Sequence, residues 1–203
     1  MKIRKYVRIL PGSVTVDGTP LAVGAAGADL LAELYRSFVK DYPKFFKMDV
    51  LCKLGVVATE LLVMGEADRF TPREDRAVLL FSHSGPLCND RNYQKTIAED
   101  DFFPSPSLFV YTLANIVTGE IAIRNKYEGD TTAFELASFE PAAFVAAVRD
   151  AFEDRVTRSA ICGWAEAVDA SHFAAVMMLV DQDAAEGLDF TPENVEKIQS
   201  NQA

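Results

Sequence analysis

Two apolar runs of strand length, residues 159–164 and 174–180, follow one another with no room for a crossover helix between them. A parallel pair needs such a crossover, so these two must lie antiparallel. Everything before them alternates between strand-like and helix-like patterns. Residues 6–10 and 14–16, joined through Pro11-Gly12 and closed by Asp17-Gly18, read as a strand and hairpin. Asp29 opens a helical stripe of Leu30, Leu31, Leu34, Tyr35 and Phe38 that ends before Pro43. A second helix starts at Asp49 and sets Leu51, Leu54, Val57, Ala58, Leu61 and Leu62 on one face. Residues 77–81 are continuously apolar between charged flanks, which suits a strand covered on both faces in a mainly parallel sheet. A helix is then predicted over 108–125, in which Gly119 would let another backbone approach closely. A strand over 131–136 follows, and then a helix carrying Phe144, Ala147, Val148, Ala151 and Phe152, with Pro141 in its first turn. The order predicts an α/β domain: a mixed, mostly parallel five-stranded sheet of segments 6–10, 77–81, 131–136, 159–164 and 174–180, with helices on both faces.

The chain has 203 residues, 49% apolar and 25% charged, enough for one compact core. We place the domain over 1–185, with 186–203 as a C-terminal tail in which Thr191-Pro192-Glu193 opens a short helix. A net charge of −10 argues against nucleic acid, because phosphate binding needs a concentrated basic surface. An acidic protein partner would also be repelled unless it met a local basic patch. Lys2, Arg4, Lys5 and Arg8 are interrupted by charge before any long apolar run, so they do not open a signal peptide. No apolar run approaches membrane-spanning length. Cys52, Cys88 and Cys162 are odd in number and form no C-x-x-C pair, which points to buried thiols in a reducing cytoplasm.

Ser82-His83-Ser84-Gly85-Pro86 follows an apolar strand and so invites comparison with a nucleophile elbow. The elbow needs glycine two residues to each side of its serine, and Ser84 has Ser82 and Pro86 there. His83 and Ser84 are adjacent, so on an extended chain their side chains point to opposite faces. Nothing positions His83 against Cys88, and His172 at the start of an apolar strand reads as a packed or surface histidine. Glu99-Asp100-Asp101 is an acidic run of the kind found in solvated loops. Two distant histidines without ligand spacing predict no metal site, and no cofactor motif stands out.

The run from Phe103 to Arg124 contains a Pro/Ser-rich turn at 104–107, aromatic residues, Asn115, Gly119 and the segment Ile121-Ala122-Ile123-Arg124. It resembles the helix leading to the nucleophile in β-ketoacyl synthases. The turn Gly129-Asp130 and the strand after it continue the likeness. The Lys47-Met48-Asp49 helix opening and Gly163-Trp164-Ala165-Glu166-Ala167, similar to a Gly-Gly-Ala-Glu segment with Trp164 as a departure, extend it. The resemblance implies a thiolase-like half-unit, since a complete enzyme of that family has two similar halves and this chain covers only the first.

Counted from Gly129, Ser138 falls where the resemblance places the reactive Cys, and Phe139-Glu140-Pro141 replace the small residues that open the next helix. The family's catalytic histidines and Lys belong to the half that is not here. A serine hydroxyl without an adjacent base is a poor nucleophile. The expected function is therefore a non-condensing partner or chain-length-factor-like subunit in fatty-acid or polyketide-type biosynthesis. Its partners would be a ketosynthase subunit and an acyl carrier protein. The alternatives are a serine acyltransferase or thioesterase using Ser84 or Ser138 with His83, and an acyl-chain binding module. The aromatics Phe102, Phe103, Phe109 and Tyr111 either pack core and turn or line an acyl-sized groove. A lone half must cover its open face, so a homodimer or heterocomplex is expected, through Leu113, Ile116, Val117 and the strand at 131–136.

Overall fold

In the computed structural model, residues 1–98 and 100–202 are described. The chain begins with β1 (Lys2–Leu10), β2 (Ser13–Val16) and β3 (Thr19–Leu21), an antiparallel meander. Next come α1 (Ala28–Leu34), a π-helical turn over Tyr35–Val39, a 3-10 turn over Pro43–Lys47, α2 (Val50–Leu62) and β4 (Arg76–Ser82). The middle of the chain holds α3 (Leu87–Gln94), the small ribbon β5 (Ile97–Ala98) and β6 (Asp101–Phe102), then α4 (Pro106–Val110), α5 (Ile116–Asn125) and β7 (Thr131–Glu135). It ends with α6 (Pro141–Asp150), β8 (Ser159–Ala167), β9 (Phe173–Asp181), β10 (Leu188–Asp189) and α7 (Pro192–Gln199).

One sheet organises the molecule, in the order β3-β2-β1-β9-β8-β4-β7, with β10 also paired to β1. β4 runs parallel to both β8 and β7, while β8, β9 and β1 are joined antiparallel. The five expected strands are all present and adjacent, four pointing one way and β9 the other. The sheet nevertheless has eight strands rather than five, and it is mixed rather than mostly parallel, since only β4–β8 and β4–β7 pair in parallel while β2, β3 and β10 add short antiparallel pairings on the β1 side. β4 is buried along its whole length, which is why its sequence runs apolar without alternation. In β8, a Cβ at Gly163 would strike the Val176 carbonyl and Met177 of β9, so only glycine admits the close pairing there.

Two apolar cores cover the sheet. α1, α2 and α5 supply one, around Leu30, Leu54, Val57, Leu61, Val117 and Ile121. α6 and α7 supply the other, around Phe81, Phe144, Val148, Val195 and Ile198. The segment 186–203 thus contributes Phe190, Val195 and Ile198 to a core, and Thr191 caps α7. Asp49 caps α2 as its sequence position predicts, its carboxylate accepting from the Cys52 N–H at 2.9 Å.

Three local expectations need correction. The helix predicted over 108–125 is broken into α4 and α5, and the residues between them form a turn. There the Thr112 hydroxyl bonds the Phe109 carbonyl, Thr118 bonds the Asn115 carbonyl, and Tyr111 turns inward to Glu120. Such side-chain to backbone bonds compete with the helix ladder. Gly119 faces open space, and the close helix approach is instead at Gly55, where a Cβ would meet Val117 at 2.7 Å. The face expected to be open is closed in part: Val117 is 1% exposed and packs into the chain's own core, Ile116 is half-buried against it, and Leu113 stays exposed. β7 does remain a sheet edge, paired only to β4. Among the described residues no helix is long and apolar enough to cross a membrane.

Candidate functional site

The parallel register of β4 with its neighbours brings the sequence-predicted residues towards one end of the sheet. Ser82 stands opposite Glu135 of β7, and Phe81 opposite Trp164 of β8, so Glu166 lies just beyond the end of β4. The loop 82–85 closes over Glu166. Its Oε1 accepts from the His83 N–H and the Ser82 hydroxyl, and its Oε2 accepts from the Ser84 N–H at 3.2 Å and the Ser84 hydroxyl at 2.5 Å. Four donors fill the acceptor sites of one carboxylate. The Ser82 hydroxyl also accepts from Gly85 N–H at 2.9 Å, and Gly85 sits at φ +50°, where a Cβ would strike the Glu135 carboxylate. Glycine suits that left-handed turn.

His83 and Ser84 diverge, as their adjacency predicts. Ser84 points to Glu166, while the exposed His83 ring places Nδ1 3.2 Å from the Leu136 carbonyl. A carbonyl only accepts, so in the neutral ring Nδ1 carries the hydrogen and Nε2 is left as an acceptor. Ser138 is exposed in the loop after β7, and its hydroxyl donates to Glu140 at 3.0 Å. Among the described residues no histidine nitrogen bonds either serine hydroxyl. The carboxylate beside Ser84 is saturated by four donors, which makes it a clamp on the loop before it is a proton acceptor.

The remaining candidates lie elsewhere. Cys88, on α3, is half-buried, and burial pushes its thiol up from the ordinary value. Cys52 and Cys162 are buried. His172 is an exposed turn residue whose Nδ1 bonds Asp169 at 2.9 Å. The backbone N–H of Ser171, followed by the His172 side chain, holds the Asp169 carboxyl below its ordinary range. Among the described residues no three His, Cys, Asp or Glu side chains gather as a metal-binding group. Of the acidic run 99–101, Glu99 lies outside the described residues.

The aromatic set divides sharply. Tyr111 is buried and donates to Glu120 at 3.2 Å, and Tyr42 reaches the same carboxylate at 3.1 Å. Burial, reinforced by Glu120, pushes the Tyr42 phenol up to about 12. Phe102 and Phe103, in contrast, are 68% and 80% exposed, and Phe109 is half exposed over Tyr93. These rings belong to one local substructure, in which Phe103 N–H bonds Thr96 and Asn89 bonds the Leu108 carbonyl. Leu87, Val110 and Leu113 are exposed on the same stretch. The sequence named the aromatics but gave no sign that they face outward. It missed Glu166 as the centre of the loop, although the Gly-Trp-Ala-Glu segment marks it.

No protein-family model matches the sequence, and no curated protein matches it. Solved structures do. The ishigamide ketosynthase/chain length factor superposes with a TM-score of 0.62 at 17% identity, over 91% of this chain and 63% of that one. Ketosynthase ApeO in complex with its chain length factor ApeC, from Xenorhabdus doucetiae, gives 0.59 at 14% identity, over 100% of this chain and 92% of the matched one. AntDE:AntF, a type II polyketide synthase acyl-carrier protein in complex with its ketosynthase, gives 0.55 at 12% identity, over 90% and 64%. This chain therefore has a thiolase-like, ketosynthase-like fold. It spans less than two thirds of the ishigamide and AntDE:AntF chains, but nearly all of the chain matched in the ApeO–ApeC complex.

Proposed function

We propose that this chain is a non-condensing, chain-length-factor-like subunit that completes a ketosynthase serving an acyl carrier protein. The observation that carries this reading is the match to a chain of a ketosynthase–chain length factor complex, over 100% of this chain and 92% of that one. The outward aromatics Phe102, Phe103 and Phe109 support it, because large apolar side chains grouped in water mark a surface made for a partner. Ser138 supports the non-condensing half, since its hydroxyl meets the exposed Glu140 carboxylate and, among the described residues, no histidine. Without a ketosynthase, a second copy of this chain is the occupant expected on the same surface.

Coexpression with a ketosynthase subunit, followed by light scattering, should give a heterocomplex that Phe103→Asp dissolves. A condensation rate from the purified chain alone that Ser138→Ala abolishes would overturn the reading. A serine acyltransferase or thioesterase remains the second reading, favoured by the Ser84 hydroxyl held on Glu166. It requires stoichiometric labelling of Ser84 by a fluorophosphonate, and co-purification of a lipid-sized adduct would instead favour an acyl-chain binding module.

A further inference from the structure

On the α1 and α2 side of the molecule, away from the β4 loop, a cleft of about 400 Å3 is lined by Phe38, Lys40, Asp41, Arg69, Phe70 and Arg124, with Glu60 at its base. Its construction is unusual for a loop that only connects two elements. The π-helical turn Tyr35–Val39 forms one wall, and such turns occur often at functional positions. Two non-glycine residues with positive φ line it, Lys40 at 64° and Phe70 at 65°. A bulky residue such as phenylalanine adopts that backbone only when its surroundings impose it, and such strain clusters at binding sites.

Charge gives the cleft its chemistry. Glu60 is buried, and both of its oxygens are taken: Arg69 holds them as a fork at 3.0 Å, and Arg124 Nε adds a bond to Oε1. Arg124 Nη2 bonds the Val39 carbonyl and Asp41, a residue whose side chain is 77% exposed. The two guanidiniums lie 4.6 and 5.3 Å from the Phe70 ring, which fixes that side chain between them. Among the described residues, Arg124 Nη1 and Lys40 Nζ have no protein acceptor, and Nη1 is not among the buried orphan atoms. Three cations thus face two carboxylates in one concavity, on a chain whose net charge is −10. Anchoring the loop explains the Arg69–Glu60 fork. It does not explain a strained Lys40 and a free guanidinium nitrogen lining the same space.

We propose that this cleft binds a small organic carboxylate, its oxygens on Arg124 Nη1 and Lys40 and its apolar body between Phe38 and Phe70. One donor from each cation suits the two oxygens of a carboxylate, whereas phosphate would leave oxygens unpartnered against aromatic walls. The site stands independently of the chain-length-factor reading. Calorimetric titration of the full chain with benzoate, butyrate, inorganic phosphate and chloride tests it. Benzoate should saturate and bind more tightly than butyrate, with phosphate and chloride weaker than either. Lys40→Gln should weaken benzoate about ten-fold, the loss of one charge-assisted contact. Asp41→Asn should tighten it several-fold by removing the carboxylate that competes for Arg124, an opposite sign that a merely structural role would not produce. Absence of saturation, phosphate binding above benzoate, equal affinity for all four anions, or wild-type affinity in both variants would each overturn the proposal.

Discussion

The two ends of β4 hold polar groups in opposite ways. At its start, Arg76 is buried and fully paired: Glu66 takes its fork at 2.7 and 2.9 Å, Ser159 accepts from Nε at 2.9 Å, and the Tyr127 hydroxyl lies 3.1 Å from Nη1. At its finish, Glu166 has no cation partner among the described residues and is held by two backbone N–H groups and two hydroxyls of a single loop. A buried ion pair locks elements together and penalises any separation. A carboxylate satisfied by neutral donors shapes a loop while leaving its outer face, here His83, to solvent. The first arrangement suits a structural anchor, and the second suits a surface that meets something.

Removing the guanidinium is the severest test of that contrast. Arg76→Ala strands Glu66, Ser159 and Tyr127, and should cost about 3–5 kcal/mol in urea unfolding. Glu166→Gln replaces an acceptor set with an amide that turns donors against donors, and should cost about 2 kcal/mol. A loss equal to that of Arg76→Ala would erase the distinction between anchor and loop clamp.

Asp49 combines both features, a carboxylate held by a backbone donor and without an ion-pair partner among the described residues. Burial is the largest influence on it and raises its carboxyl above the ordinary range, against the Cys52 hydrogen bond that lowers it. A raised folded-state value means that the charged form is disfavoured on folding, so this group's cost is present at neutral pH and is relieved as pH falls through that value. Asp49→Asn keeps the cap, removes the buried charge and flattens this pH dependence, whereas Asp49→Ala loses about 1 kcal/mol with the cap. Equal destabilisation by both would show that charge, not capping, matters there. The smallest expected effect on stability is that of Phe103→Asp, within about 0.5 kcal/mol at an exposed position, although it should abolish subunit association. A large stability loss would move Phe103 from the proposed partner surface to the core.

Much of the scaffold was legible because it depends on near neighbours. The unbroken 77–81 run suited a doubly covered strand, the close succession of β8 and β9 forced their antiparallel pairing, and Asp49 announced the start of α2. The site was legible in its parts and not in its assembly. Ser82, Ser84 and His83 stood out, yet their common partner is Glu166, more than eighty positions away. Ser138 was equally visible, and its hydroxyl bond to Glu140 was not.

What the sequence by itself determined was each segment's preference: helix or strand, buried or covered, capped or continued. Those are set by side-chain periodicity and short-range hydrogen bonds within a few residues. The tertiary structure alone decided where α4 stops short of α5, which glycine receives a neighbouring helix, and which aromatics face water. Tyr111 could leave the helix because Glu120 waited in the core, Gly55 is crowded because Val117 packs on it, and Phe103 stays outside because none of the described elements covers it. Each outcome depends on contacts between residues that only the packed sheet and its helices bring together, and no local pattern encodes that meeting.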